Sequence, residues 1–304
     1  MLSFPSNSDT MKSIPSSELI INADGSVFHL HMKPDQLADR IILVGDPGRV
    51  ELVSSYFDNV ESRTASREFV SATGLYKGVR MTVLSHGIGT DNIDIVMTEL
   101  DALANVDFET REVRREMKTL YIVRLGTSGA LQPDLRLGDF VLAETSVGFD
   151  GLLNFYAGRD FVCDRLMEES FVRHMGWNPQ LARPYFIHSS RLMNRLFEDF
   201  TLPGITISAP GFYGPQGRVV RLALADPDMN PKIEEFRYED RKITNYEMES
   251  SALAGLATLL GHEATTICTI IAQRVAGESN PDYQPYVRQM IELALDKLAH
   301  LRIP

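Results

Sequence analysis

The residues whose types and spacing could do chemistry are two arginines beside glycine-rich strings and a third apart from them, a closely spaced carboxylate pair and one aromatic loop string. Arg49 follows GDPG (45–48), where an apolar run ends and a helical period begins. A guanidinium beside the free N–H groups of a helix start suits phosphate or a similar anion; a structural turn with a solvated arginine reads equally from these residues alone. Arg124 follows the apolar run LYIV and precedes GTSG, which puts its charge at an expected strand end beside backbone N–H groups and two hydroxyls. A guanidinium there needs an anionic or carbonyl partner. Arg67, in ASREFV, is a third candidate, with an ion pair to Glu68 or Glu61 as the alternative. Arginines can grip an oxyanion bidentately, and such a site would select a phosphate group, not a long phosphate diester.

NYEMES (245–250) is expected to open a helix running to Gly261. On it Glu247 and Glu249 would stand about 200° apart at 3.6 residues per turn, so one could face a ligand while the other caps the helix. A carboxylate in a pocket suits vicinal hydroxyls, because it accepts two hydrogen bonds at once. In GFYGPQGRV (211–219), Phe212 offers a face for a planar ring, Gln216 a donor and an acceptor, and Arg218 donors only. A carbonyl, N–H, carbonyl edge is what that set would read, unless the string is merely a loop. The seven histidines show no metal-ligand spacing, and neither a nucleophile elbow nor a phosphate-binding P-loop is present.

These residues must be positioned by strand, glycine turn and helix units. IILV (41–44) is a buried strand, and RVELVSSYF (49–57) puts Val50, Val53 and Phe57 on one helical face. The unit recurs at VRMTVLSHGIGT (79–90) and LYIVRLGTSGAL (120–131), and ATTICTIIA (264–272) is a further strand. The pattern implies an α/β fold around a largely buried sheet. With 304 residues, 44% hydrophobic and 23% charged, one large domain is expected over 26–304, preceded by a polar tail or arm over 1–25. In DFETREVRREMK (107–118) eight of twelve residues are charged, which reads as a solvated helix extension, with a partner contact as the alternative. The formal charge of −11 disfavours nucleic acid and anionic membranes as partners. Cys163 and Cys268, far apart among apolar neighbours, read as reduced core thiols. A soluble, cytoplasmic protein is expected.

In chain order, VFHL (27–30), GDPGRV (45–50), SREF (66–69), SHGIG (85–89), VRLGTSGALQP (123–133), LGDFVLAETSVGFDG (137–151), FYGPQGR (212–218), NYEMESSALAGLA (245–257) and IIAQR (270–274) resemble the nucleoside phosphorylases, and within them the uridine phosphorylases. The resemblance implies a single-domain three-layer α/β/α sandwich with a central mixed sheet. It also implies reversible phosphorolysis of uridine to uracil and ribose 1-phosphate. Gly45, Arg49, Arg124 and Thr127 match the phosphate pocket, and Arg67 matches an arginine supplied by a neighbouring subunit. His29, with Phe28 beside it, matches a neighbour's residue at the ribose 5′-hydroxyl. Met248 and Glu249 match the ribose-binding pair; Phe212, Gln216 and Arg218 match the uracil set; Arg274 lies near the base and the flap over 275–285. Arg124, Gln216, Arg218 and Glu249 would carry the reaction. No cofactor or metal is implied beyond inorganic phosphate as co-substrate, with a monovalent cation near Glu68 in some relatives; the assembly would be a homodimer or a hexamer built as a trimer of dimers.

Purine-cleaving relatives carry an aspartate where this chain reads IIAQR, so a pyrimidine is expected. Departures are Thr90-Asp91-Asn92 after SHGIG, Gln273 in place of a common asparagine, the 107–118 insertion and the longer tail. Another nucleoside, or a catalytically silent nucleoside-binding protein on the same scaffold, are the alternatives.

Overall fold

A computed structural model describes residues 13–303; residues 1–12 of the expected tail lie outside that range. Its strands are β1 (Arg40–Val44), β2 (Asn59–Ser66), β3 (Phe69–Tyr76), β4 (Val79–Ser85), β5 (Val106–Asp107), β6 (Glu112–Val113), β7 (Tyr121–Ala130), β8 (Phe140–Gly148), β9 (Tyr185–His188), β10 (Leu202–Ser208), β11 (Arg237–Tyr238), β12 (Arg241–Glu247), β13 (Glu263–Gln273) and β14 (Glu278–Ser279). The helices are α1 (Pro47–Ser54), α2 (Thr90–Asn105), α3 (Arg159–Val162), α4 (Arg165–Met175), α5 (Arg191–Phe197), α6 (Met229–Glu235), α7 (Ser250–Leu260) and α8 (Gln284–His300). Twelve strands form one sheet in the order β11-β12-β10-β8-β13-β7-β1-β4-β3-β2, with β9 added to β8 and β14 to β13. The sheet is mixed: β1 runs parallel to β4 and β7, and β7 to β13, whereas β2, β3 and β4 are antiparallel neighbours.

Alternation along β1 shows why three layers form. Ile41 and Leu43 enter a core with Ile93, Val96 and Leu100 of α2 and Leu253 and Leu256 of α7. Ile42 and Val44 enter a second core with Val50 and Val53 of α1, Met193 and Phe197 of α5 and the apolar stripe of α8. A period of two on a strand buried on both faces therefore demands helices on both sides. No helix among the described residues is long and apolar enough to cross a membrane, and both cysteines are buried free thiols.

Three local expectations are corrected. β7 does not end at GTSG but continues through it to Ala130, so Arg124 sits mid-strand and those N–H groups belong to the sheet. The glycines answer a need for space rather than for a turn. A Cβ on Gly126 would stand 2.6 Å from Arg124 Nη1 and 3.0 Å from Cys268 Sγ, and one on Gly129 would stand 3.3 Å from Arg274 Cδ. Likewise Asn245–Glu247 end strand β12, and the helix begins only at Ser250. Glu247 and Glu249 thus lie in the bend between strand and helix, where the wheel separation does not apply.

The charged 107–118 stretch is not a helix extension. Val106 leaves α2 in extended conformation, and β5 and β6 form a small antiparallel pair. Between them Arg111 Nε donates to the carbonyl of Ile14 at 2.7 Å and Nη2 to that of Pro15 at 3.2 Å, while Leu19 packs on Ala102 and Val106. The partner of the charged stretch is the chain's own N-terminal segment.

Candidate active site

Gly45, Arg49, Arg124, Thr127, Phe212, Gln216, Arg218, Met248 and Glu249 all line one cavity of about 820 Å³. They come from four places, the β1–α1 turn with the start of α1, β7, the loop after β10 and the β12–α7 bend, and the end of β14 with the residues after it adds Ser279, Asn280 and Pro281. Strand ends in an α/β sheet are where such convergence is expected. A second cavity, of about 930 Å³ beside Trp177 and Leu222, shares with it only Arg218 among the expected residues.

At the anion end, Arg49 is the third residue of α1. Asp46 caps that helix by accepting from Gly48 N–H at 2.9 Å, so the first turn is already partly satisfied. Arg49 Nη1 donates to the Leu125 carbonyl at 3.1 Å, and among the described residues it forms no ion pair. Burial, opposed by Asp46 and reinforced by the Arg124 charge, holds its pKa below the usual arginine value.

Arg124 is the opposite case. It is 4% exposed, with Nη1 3.0 Å from Glu247 Oε2 and Nη2 donating to Glu249 Oε2. Burial alone would lower its pKa, but Glu249 and Glu247 raise it above the usual value. Glu247 also accepts from Ser208 Oγ, Ser250 Oγ and the backbone N–H groups of Glu249 and Ser250. It is therefore the cap of α7 and the anchor of the site. Glu249 Oε1 accepts from Gly89 N–H at 2.7 Å, at the start of α2, and burial pushes this carboxyl up to about 7. One partly protonatable carboxylate thus stands between a buried guanidinium and the open cavity, able to exchange its present donors for hydroxyls.

At the other end, the Arg218 guanidinium carbon lies 3.8 Å from the Phe212 ring centre. Arg218 Nη1 donates to the Phe212 carbonyl at 2.6 Å and to Gln216 Oε1. Burial and then the nearby Arg274 charge lower its pKa to about 10. The 211–218 loop therefore holds a flat face, an amide and a guanidinium together, the set needed for a planar ring with an amide-like edge.

Other expected residues stand elsewhere. Arg274 lies behind the cavity wall, its guanidinium 5.5 Å from the ring centre of the lining residue Tyr246. Gln273 turns away, donating to the carbonyls of Gln132 and Leu135 at 2.7 and 2.8 Å. Phe28, His29 and Arg67 do not line this cavity. His29 Nδ1 lies 2.6 Å from Glu99 Oε1, and Arg67, in a left-handed turn between β2 and β3, stands 6.0 Å from the Phe28 ring centre. Glu68 accepts from Asn92 Nδ2 at 3.1 Å.

Two groups were not singled out from sequence, Glu247 as the partner of Arg124 and His86 beneath it. Both were signalled only by position, Glu247 two residues before Glu249 and His86 inside the glycine string SHGIG.

The uridine phosphorylase of Thermococcus kodakarensis is 28% identical over 255 residues, 84% of this chain and 80% of that protein. A DeoD-type purine nucleoside phosphorylase of Photobacterium profundum is 25% identical over 276 residues, 89% of this chain and 95% of that protein. The crystal structure of a Trypanosoma brucei nucleoside phosphorylase that shows uridine phosphorylase activity matches with a TM-score of 0.83 at 28% identity, covering 93% of this chain and 100% of that one. The family profile of the phosphorylase superfamily matches residues 39–301, and the chain belongs to that superfamily.

Proposed function

We propose that this protein catalyses the phosphate-dependent cleavage of uridine to uracil and ribose 1-phosphate, as a pentosyltransferase of pyrimidine salvage. The observation that carries the reading is the pairing of Gln216 with Arg218 against Phe212 in the same cavity as Arg49, Arg124 and Glu249. Phosphate held by Arg49, Arg124 and Thr127 attacks C1′ while the C1′–N1 bond breaks, through an oxocarbenium-like transition state. Glu249 takes the ribose hydroxyls, and the electron pair of the broken bond leaves with uracil, whose developing negative charge Arg218 and Gln216 stabilise. No covalent intermediate is needed; positioning supplies the nucleophile at high effective concentration.

A pyrimidine is favoured over a purine because the end of β13, IIAQR (270–274), offers no carboxylic acid, and its Gln273 is engaged with backbone carbonyls. His29, Phe28 and Arg67 are assigned to a neighbouring subunit's site, which makes the working form a homodimer or a trimer of dimers. A monovalent cation at Glu68 would lie beside that shared edge, and residues 26–304 form the catalytic unit. The test is ultraviolet-monitored cleavage of uridine, inosine and thymidine with and without inorganic phosphate. Phosphate-dependent loss of uridine is the expected result; turnover of inosine alone would refute the assignment of Gln216 and Arg218.

A further inference from the structure

Beneath the anion end of the cavity lies an imidazole that the reaction scheme leaves unused. His86 follows β4 directly and is fully buried. The cavity floor above it is glycine backbone: Gly45 and Gly87 both line the cavity, and a Cβ on Gly45 would stand 3.3 Å from the Gly87 carbonyl oxygen and 3.8 Å from His86 Cε1. On its other side, His86 Nε2 faces Arg124 Nε at 3.1 Å.

The protonation pattern follows from the partners. An arginine Nε–H can only donate, so Nε2 accepts and the imidazole proton sits on Nδ1. Nδ1 itself is buried without a hydrogen-bond partner among the described residues. Burial, then the charges of Arg124 and Arg49, keep this histidine neutral well below its usual pKa. A second proton would set N–H against N–H and add a third positive charge to two arginines.

Resting on the phosphate-site reading above, we propose that His86 is a positioning residue whose Nε2 lone pair fixes the rotation of the Arg124 guanidinium for the anion. Glu247 and Glu249 hold the two Nη groups; His86 holds the third nitrogen, so the plane has one orientation. Around Arg124 the β7 backbone is already committed to its neighbours β1 and β13, so the Nε–H finds no substitute when the imidazole is removed. The guanidinium then rotates to relieve a buried, unpaired donor, and its remaining N–H groups leave the anion position.

Two variants separate this from a packing role. His86→Gln keeps an acceptor at the reach of Nε2, and His86→Leu keeps the bulk without one. Inorganic phosphate is titrated calorimetrically into each folded protein, and the phosphate and nucleoside KM values and kcat are measured beside it. For a lost hydrogen bond to a charged group, His86→Leu should weaken phosphate binding by about 10- to 100-fold. The nucleoside KM and kcat at saturating phosphate should change far less, and His86→Gln should stay close to wild type. A folded His86→Leu protein that binds phosphate normally, or a His86→Gln protein as weak as it, overturns the proposal. Should His86→Leu not fold, His86→Asn, too short to reach Arg124, takes its place in the same comparison. Wild-type protein that binds phosphate but does not cleave uridine would refute the substrate reading and leave this one standing; wild type that binds no phosphate would refute both.

Discussion

Replacing Arg49 and Arg124 by methionine, one at a time, should abolish the same ligand contact with different consequences for the fold. Arg124 is buried between Glu247 and Glu249, so its removal leaves two carboxylates facing each other without a cation. Breaking such a buried pair costs about 3–5 kcal/mol. At ~2.1 cal/mol/K per residue, the 304-residue chain unfolds with an entropy of about 0.64 kcal/mol/K, so Tm should fall by roughly 5–8 °C. Arg49 has no carboxylate at ion-pair distance among the described residues, and burial and the Arg124 charge already disfavour its charged form. Arg49→Met loses one charged hydrogen bond, to the Leu125 carbonyl, worth about 1.5–3 kcal/mol, and gains relief from desolvation and repulsion of similar size. Its Tm should therefore lie within about 2 °C of wild type. Scanning calorimetry with and without ~10 mM phosphate reads both effects: for a Kd near ~0.1 mM the wild type gains about 2.7 kcal/mol, or about 4 °C, and neither variant should gain it. If Arg49→Met melts as low as Arg124→Met, or keeps the phosphate shift, the electrostatic contrast drawn here is wrong.

Gly126→Ala should act on the same site through sterics. The new Cβ would meet Arg124 Nη1 at 2.6 Å, and the pinned guanidinium cannot swing aside, so about 1–3 kcal/mol of stability should be lost by overpacking, together with phosphate affinity; an unchanged phosphate KM would contradict this. Arg218→Ala should lower kcat for uridine by about 100- to 1000-fold, as for the loss of an oxyanion donor, with the phosphate KM preserved; a loss under about tenfold removes Arg218 from the leaving-group role. Glu249 has its pKa raised to about 7 by burial, so the folded state holds its proton more tightly than the unfolded chain, and this contribution is full below about pH 4.5 and lost as pH rises through 7. Glu249→Gln, which mimics the protonated form, should gain Tm relative to wild type as pH is raised from 5 to 8, and a flat difference would show that the proton is not held there.

The layered fold was legible because strands buried on both faces have an unmistakable composition: IILV of β1 and the apolar β13 can be nothing but central. Boundaries failed where glycine was read as punctuation. In β7 glycine is a space-maker, and sequence alone does not distinguish a glycine that permits a turn from one that leaves room for a buried arginine. The cavity-lining residues were visible because each is costly to place without a partner; Arg124 at the end of an apolar run is the clearest case. Their supports were not, because support is a relation between distant segments. Glu247 reads as a helix-opening acid until the chain bends at Met248 and both carboxylates turn to one cation.

That arrangement also explains how a chain of net charge −11 can hold an anion at all. Overall charge acts at long range and is screened beyond about 8 Å at physiological salt, whereas the cavity's own groups act at contact. Around Arg124 the positive charge is matched or exceeded by Glu247 and Glu249, so among the described residues the uncompensated cation at this end is Arg49, with Asp46 committed to capping its helix. On the proposed reading, an entering phosphate is recruited by Arg49 and must compete with Glu249 for Arg124. Success in that competition frees a Glu249 oxygen at the moment the ribose needs an acceptor. Phosphate and nucleoside should consequently bind with positive coupling, each lowering the other's Kd by the same factor, and Glu249→Gln, which weakens the hold on Arg124, should reduce that factor toward one.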